Sequence, residues 1–150
     1  MHNLRFAMES ARDVAAEMEP LIRENWKTVE SSYISSKLQP DIDLYLSLAE
    51  KDALKVFTAR KNEFLVGYAL VLIMRHPHRI GDLVGAVDTI FVMPEFRGGG
   101  SASALLRFVE SQLKGLGVCL LSIIARDARI ERWLKFADYR QVEKVFERRL

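Results

Sequence analysis

The chain is nearly without cysteine. Its 150 residues hold one, Cys119, which excludes an internal disulfide, and no metal site is expected. Long hydrophobic runs are missing too: the longest, residues 64–74, is interrupted by Gly67 and reaches about half the ~20 residues of a membrane-spanning helix. The opening residues Met1-His2-Asn3-Leu4-Arg5 contain no apolar segment followed by a cleavage site, so export is not expected. Charge of one sign is not in excess: the net value is +2, and acid and base are interleaved, as in Arg126-Asp127 and Glu131-Arg132. That does not argue for a nucleic-acid-binding surface. There are no internal repeats, low-complexity tracts or interdomain linkers. What these absences leave is one cytoplasmic domain spanning residues 1–150, large enough to build its own core. Its 49% apolar and 28% charged residues agree with a globular fold and exclude a disordered one.

Hydrophobic periodicity predicts an α/β domain with a mixed sheet flanked by helices. Residues 4–8 read as a short first strand, and Ser10 as the cap of a helix to about Trp26 carrying Val14, Met18, Leu21 and Ile22. From residue 27 to 39 the pattern breaks around Tyr33 and Ile34 into a loop or loose helix. Pro40-Asp41 then opens a second helix with Ile42, Tyr45, Leu46, Leu48 and Ala49. Residues 56–59 and 64–74 read as strands joined by a turn at Lys61-Asn62-Glu63. The second is almost continuously apolar, which places it in the sheet centre, buried on both faces. His76-Pro77-His78 ends it. A strand over residues 84–93 follows, then a helix in which Ala102, Leu105, Leu106, Val109 and Leu113 recur, stopped by Gly115-Leu116-Gly117. Residues 118–125 read as a buried strand that encloses Cys119 as a small core residue. Asp127 reads as the cap of a helix to about Ala137, and residues 142–146 as the last strand.

The stretch Val92-Met93-Pro94-Glu95-Phe96-Arg97-Gly98-Gly99-Gly100-Ser101-Ala102 carries the functional information. Three successive glycines let the backbone approach a ligand and turn its N–H groups inward, and a helix N-terminus favours an anion. Strand, glycine turn and helix start together describe a grip for a phosphate or pyrophosphate. A P-loop would require Lys-Ser or Lys-Thr after the last glycine, where Ser101-Ala102 stand. The dinucleotide fingerprint would put its third glycine at Ser103, and no strand ending in an acidic residue follows at the usual distance.

What remains is Arg97-x-x-Gly100-x-Ala102, an instance of Arg/Gln-x-x-Gly-x-Gly/Ala, preceded by Val92-x-Pro94-Glu95-Phe96. This combination resembles the acetyl-CoA-binding motif of the GNAT-type N-acetyltransferase superfamily. The likeness extends to the order of elements and the closing Asp138-Tyr139. It is closest to small single-domain members found in phage genomes, which have a similar Gly67-Tyr68-Ala69 strand and His76-Pro77-His78 stretch. The resemblance implies a GNAT-like α/β (α+β) fold with a mostly antiparallel central sheet flanked by helices. It implies acetyl-CoA as co-substrate and direct transfer of its acetyl group to an amine acceptor, a small molecule or a protein. It brings in neither membrane nor nucleic acid, allows a homodimer, and points to the cytoplasm, of the host if the chain is phage-encoded. A second reading stays open: a catalytically silent acyl-CoA-binding or protein-interaction module with the same fold.

Acetyl transfer to an amine demands that the thioester be held, that the developing oxyanion be stabilised, and that a proton leave an acceptor mostly charged at neutral pH. By resemblance, the pantetheine arm pairs with backbone of Ile90, Phe91 and Val92, and the N–H groups of Arg97, Gly98, Gly99, Gly100, Ser101 and Ala102 hold the pyrophosphate. The N–H of Val92 polarises the oxyanion. Asp88 lies four residues before Val92, on the same side of an extended strand, and partial burial would make it a useful base. His76 and His78 are a second source of a base. The family's usual acidic Tyr is replaced by Leu134, between Trp133 and Lys135, which leaves Tyr139 as the alternative acid. The family's pantetheine-contacting Asn is replaced by Asp127, whose competing role is helix capping. Trp26, Tyr33 and Tyr45 lie on segments that flank the acceptor groove in the family.

Overall fold

The computed structural model describes residues 3–29, 38–146, 148 and 150. The chain runs β1 (Arg5–Glu9), α1 (Ala11–Val29), α2 (Ile42–Glu50), β2 (Leu54–Lys61), β3 (Phe64–Arg75), β4 (Leu83–Val92), α3 (Ser101–Gly115), β5 (Val118–Ile123) and α4 (Ala128–Phe136). The five strands form one sheet in the order β1-β2-β3-β4-β5. Neighbours from β1 to β4 pair antiparallel, and β4 pairs β5 in parallel, as the α3 crossover between them requires. The expected mixed, mostly antiparallel sheet flanked by helices is the observed architecture.

The alternation of β3 explains the two-sided packing. Tyr68 and Leu70 point to the face where α1 brings Val14, Met18 and Leu21, while Ala69 and Val71 point to the face where α3 brings Leu105, Val109 and Leu113. All of these side chains are buried, each contributing about 1.5–3 kcal/mol if a Leu, Val or Met. At Gly67 the two central strands come too close for a side chain, since a Cβ there would stand 2.8 Å from the Phe91 carbonyl oxygen.

Three expectations are corrected. β5 is not buried on both faces; it is a half-exposed strand at the sheet edge. Cys119 is accordingly exposed rather than a core residue. It is the extra residue where the β4–β5 register shifts, and its thiol donates to the Leu83 carbonyl at 3.2 Å. Residues 142–146 form no strand. Val142, Val145 and Phe146 are exposed, because in an extended chain their spacing puts apolar groups on both faces with Glu143-Lys144 between, so no single apolar face is offered to β5. Helix α1 also continues to Val29, past the expected end near Trp26. Most of the expected 27–39 loop, Tyr33 included, lies outside the described residues.

One interaction across the first half of the sheet was not read from the sequence. Arg60 is 7% exposed and its guanidinium donates to Glu9 (3.0 and 3.3 Å), to Glu17 (2.8 Å twice) and to the Glu63 carbonyl (2.9 Å). Thr58 Oγ1 donates to the same Glu9 carboxylate. A strand β1 residue, a helix α1 residue and the β2–β3 turn are thereby joined at one cation. For Glu9, burial alone would raise the carboxyl, but hydrogen bonds from Arg60 and Thr58 outweigh it and hold it below the ordinary glutamate value of 4.5. Glu17 is lowered chiefly by its Arg60 hydrogen bonds.

Because both carboxyls are depressed in the folded state, their contribution to stability is complete above about pH 4.5 and is lost as pH falls through the lower folded values. Arg60→Met, which leaves Glu9 without its cation, is expected to lower the unfolding free energy at pH 7 by about 3 kcal/mol. Urea unfolding checks this. The loss should shrink when both proteins are compared near pH 3, and a pH-independent difference would contradict the assignment.

Candidate active site

The ladder between β4 and β5 stops early. Its last pair is Val87↔Ile123, whereas β4 continues to Val92, so among the described residues 88–92 have no strand beside them on that side. The hydrogen bond from Met93 N–H to the Val66 carbonyl, 2.9 Å, sets which backbone groups face the opening. In an antiparallel pair alternate residues bond to the neighbour. Met93 and Phe91 therefore turn their main chain to β3, and Val92 and Ile90 turn theirs to the open side. Of these, the Val92 carbonyl is taken by Arg97 Nε at 2.7 Å. The Val92 N–H and both main-chain groups of Ile90 remain directed into the opening. Phe91, expected to contribute backbone there, instead buries its ring beside Tyr68, centroids 6.0 Å apart, with the Arg97 guanidinium 5.4 Å from the Phe91 ring centre.

The glycine turn closes the end of this opening. Pro94–Phe96 make one tight turn, with Phe96 N–H on the Met93 carbonyl at 2.9 Å. Gly99 (φ 68) and Gly100 (φ 80) are both left-handed, a conformation that costs an L-residue about 1–2 kcal/mol. Gly100 is the N-cap of α3 and supplies no side-chain acceptor. Ser101 Oγ does not fill that role, since it donates to the Gly98 carbonyl at 3.0 Å. Nor does α3 carry an acidic residue in its first turn. A 15-residue helix thus presents first-turn N–H groups and the positive end of its dipole with no anion of its own. This uncapped cradle at the end of an open strand edge fits a chain ending in a pyrophosphate, which is the shape of coenzyme A.

α4 stands against the same corner. Asp127 Oδ1 accepts from the N–H groups of Arg129 and Ile130, both at 2.8 Å, so its carboxylate is engaged in capping. Trp133 Nε1 donates to Ser103 Oγ in the first turn of α3 at 2.8 Å. Leu134 is buried.

The register also moves Asp88. Leu70 pairs with Thr89 and Val71 with Val87, so Asp88 is the inserted residue of a bulge. Val87 and Val92, five apart, consequently share the α3 face. Counting by twos from Val92 therefore fails across Asp88, and the alternation no longer sets its side. Its charge reaches the Tyr68 hydroxyl, which lies on the α1 face. The Tyr68 hydroxyl is held well above the ordinary tyrosine value, first by burial and further by Tyr45 and Asp88, against a hydrogen bond from Asn25 that acts the other way. Asp88 itself is exposed, with Thr89 Oγ1 donating to it at 3.2 Å. The partial burial expected of it is absent. Neither Tyr68 nor Asn25 is marked as functional by the sequence, since their hydrogen bond joins residues more than 40 positions apart.

Two other expected residues lie apart. His78 is in the turn between β3 and β4, where Arg75 pairs Leu83, at least five strand residues or ~17 Å from Asp88. It is exposed, and its N–H bonds to His76 Nδ1 at 3.1 Å. Tyr139 donates to Glu110 Oε1 at 2.6 Å, nine residues or about 13 Å along α3 from Ser101. Burial and that hydrogen bond hold its hydroxyl well above the ordinary value. Among the described residues no group of His, Cys, Asp and Glu is arranged to hold a metal ion, and no helix is long and apolar enough to cross a membrane.

The chain belongs to the acetyltransferase (GNAT) family, whose model matches residues 17–136. The fold is that of a ribosomal-protein-alanine N-acetyltransferase from Brucella melitensis biovar Abortus 2308, with TM-score 0.74, 23% identity and coverage of 98% of this chain and 99% of that one. An aminoglycoside acetyltransferase from an uncultured soil metagenomic sample, in complex with sisomicin, matches at TM-score 0.74 and 17% identity, covering 98% and 97%. A predicted acetyltransferase from Clostridium acetobutylicum with acetyl-CoA matches at TM-score 0.73 and 14% identity, covering 97% and 96%. No curated protein matches.

A Cβ at Gly100 would meet no atom within 4 Å, so its glycine serves the left-handed backbone alone. Gly100→Ala is expected to destabilise by about 1 kcal/mol, the cost of that conformation. Denaturant unfolding measures this, and a loss above about 3 kcal/mol would point to packing instead.

Proposed function

We propose that the chain is an acetyl-CoA-dependent N-acetyltransferase that moves the acetyl group directly to an amine. The observation that carries this reading is the open β4 edge running into an uncapped, glycine-turned helix N-terminus. Backbone of Ile90 and Val92 would hold the pantetheine arm, and N–H groups of Gly98 to Ala102 the pyrophosphate. Acetyl-CoA would supply an activated acyl group on a sulfur leaving group. The Val92 N–H, fixed by the strand, is the donor for negative charge developing on the acyl oxygen. Asp88, exposed at the start of the open segment of β4, attracts the acceptor ammonium and accepts its proton. No side chain is assigned as the acid that protonates sulfur: Leu134 is apolar, and a thiol with pKa near 8.5 leaves without one. A neighbour described with acetyl-CoA and one described in complex with sisomicin agree with this reading.

The exposure of Asp88 and the engagement of Tyr139 with Glu110 favour one second reading, a module that binds acyl-CoA without transferring it. Two measurements separate them. Saturating acetyl-CoA, at about 100 times its dissociation constant, is expected to stabilise the fold by about 2.7 kcal/mol, seen as a raised Tm, with no such shift from NAD or ATP. Absence of the shift would remove the donor assignment. Release of CoA thiol across an amine panel is expected to fall by about 10²- to 10⁴-fold in Asp88→Asn while the thermal shift persists. Equal rates in the two proteins would exclude Asp88 as the base, and no release from either would leave the silent module.

A further inference from the structure

Helix α4 is held to α3 lightly. Leu134 is its one buried residue, and two side-chain hydrogen bonds tie it down. Trp133 Nε1 donates to Ser103 Oγ at 2.8 Å, and Tyr139, just past the helix, donates to Glu110 at 2.6 Å. Seven residues separate Ser103 from Glu110, about two turns along one face of α3. The second tether is therefore remote from the glycine turn. The first is beside it: α3 begins at Ser101 behind the Gly100 cap, so Ser103 stands in the turn whose N–H groups have no anion of their own.

The Ser103 hydroxyl is only half used. An indole N–H can only donate, so the serine oxygen accepts and its own hydrogen is left to give. A helical serine commonly returns that hydrogen to a carbonyl one turn back, as Ser101 does to Gly98 at 3.0 Å. Among the described residues Ser103 makes no such bond, and Trp133 is its one partner. Side chains of a helix lean toward its N-terminus, which directs this hydroxyl to the glycine turn. Accepting from the indole fixes the Ser103 rotamer and polarises its O–H, making it a stronger donor. An O–H so held at an uncapped helix start suits an anionic oxygen.

We infer that Ser103 donates this hydrogen bond to a phosphate oxygen of the acetyl-CoA donor, and that Trp133 is the positioning residue that holds the hydroxyl ready for it. The inference rests on the transferase reading above and adds two side chains to a grip otherwise made of backbone. Calorimetric titration of the full chain with acetyl-CoA tests it. Ser103→Ala, which suits a helix, is expected to raise the dissociation constant roughly 10- to 100-fold, the worth of a hydrogen bond to a charged group. Ser103→Thr keeps the hydroxyl and is expected to stay within about threefold of the wild type. Trp133→Phe frees the serine rotamer without removing the donor, and its loss is expected to be smaller, about three- to fivefold. Added to Ser103→Ala, Trp133→Phe is expected to cost nothing further, since it acts only through that hydroxyl. If the pair merely docked α4, the Ala and Phe variants would lose equally, because each removes the same bond. Equal losses therefore overturn the inference. So do an unchanged dissociation constant in either of these two variants, a Thr variant as weak as the Ala one, or a full Trp133→Phe loss in the Ser103→Ala background. Any of these with wild-type binding intact removes this inference alone; acetyl-CoA that fails to bind the wild type removes the transferase reading and this inference with it.

Discussion

The parting of β4 from β5 is the constraint on which the rest of the structure turns. Two parallel strands that begin as a regular ladder separate after Val87↔Ile123, and main-chain groups beyond that point face away from any strand. Exposed polar backbone beside a sheet invites an extended partner. The fold blocks one of these groups itself, by turning Arg97 back onto the Val92 carbonyl, and leaves its neighbours open. The same arginine lies over the Phe91 ring, so one side chain fixes the strand end against the first residue of the glycine turn. Because α3 starts immediately after that turn, the open edge and the helix N-terminus are held at a fixed offset by only a few residues.

The bulge at Asp88 is the second half of the same constraint. One inserted residue changes which side chains of β4 face α1 and which face α3. It keeps Val87 and Val92 in the α3 core, while the inserted Asp88 stays exposed and near enough to Tyr68 to raise its hydroxyl. Had β4 stayed regular, Val87 and Val92, five apart, would have faced opposite sides and one of them would have left that core.

What was legible in the sequence was what is local. The glycine turn, the Asp127 cap, the long β3 and the α3 stripe each depend on residues a few positions apart, and each was read with its element. The position of Asp88 was not legible, because a bulge is a property of the register between two strands and no residue in 84–93 signals it. The Arg60 cluster was missed for the same reason: its partners Glu9 and Glu17 are more than 40 positions away. Residues 142–146 failed in the opposite sense. Their composition favours a strand, but their apolar groups do not fall on one face, and composition was allowed to outweigh period. The placement of Cys119 in the core followed from the apolar run 118–125, whose position at the sheet edge no local pattern reveals.

Glu9 and Thr89 end the same row across the sheet, with Val56 and Leu70 between them. At the β1 end a buried guanidinium holds the Glu9 carboxylate and, through Glu17, helix α1. At the β4 end Asp88, next to Thr89, is exposed and raises the Tyr68 hydroxyl. One end of the row is thus a closed ion cluster that ties a helix to the sheet, and the other carries an accessible carboxylate where the open segment of β4 begins.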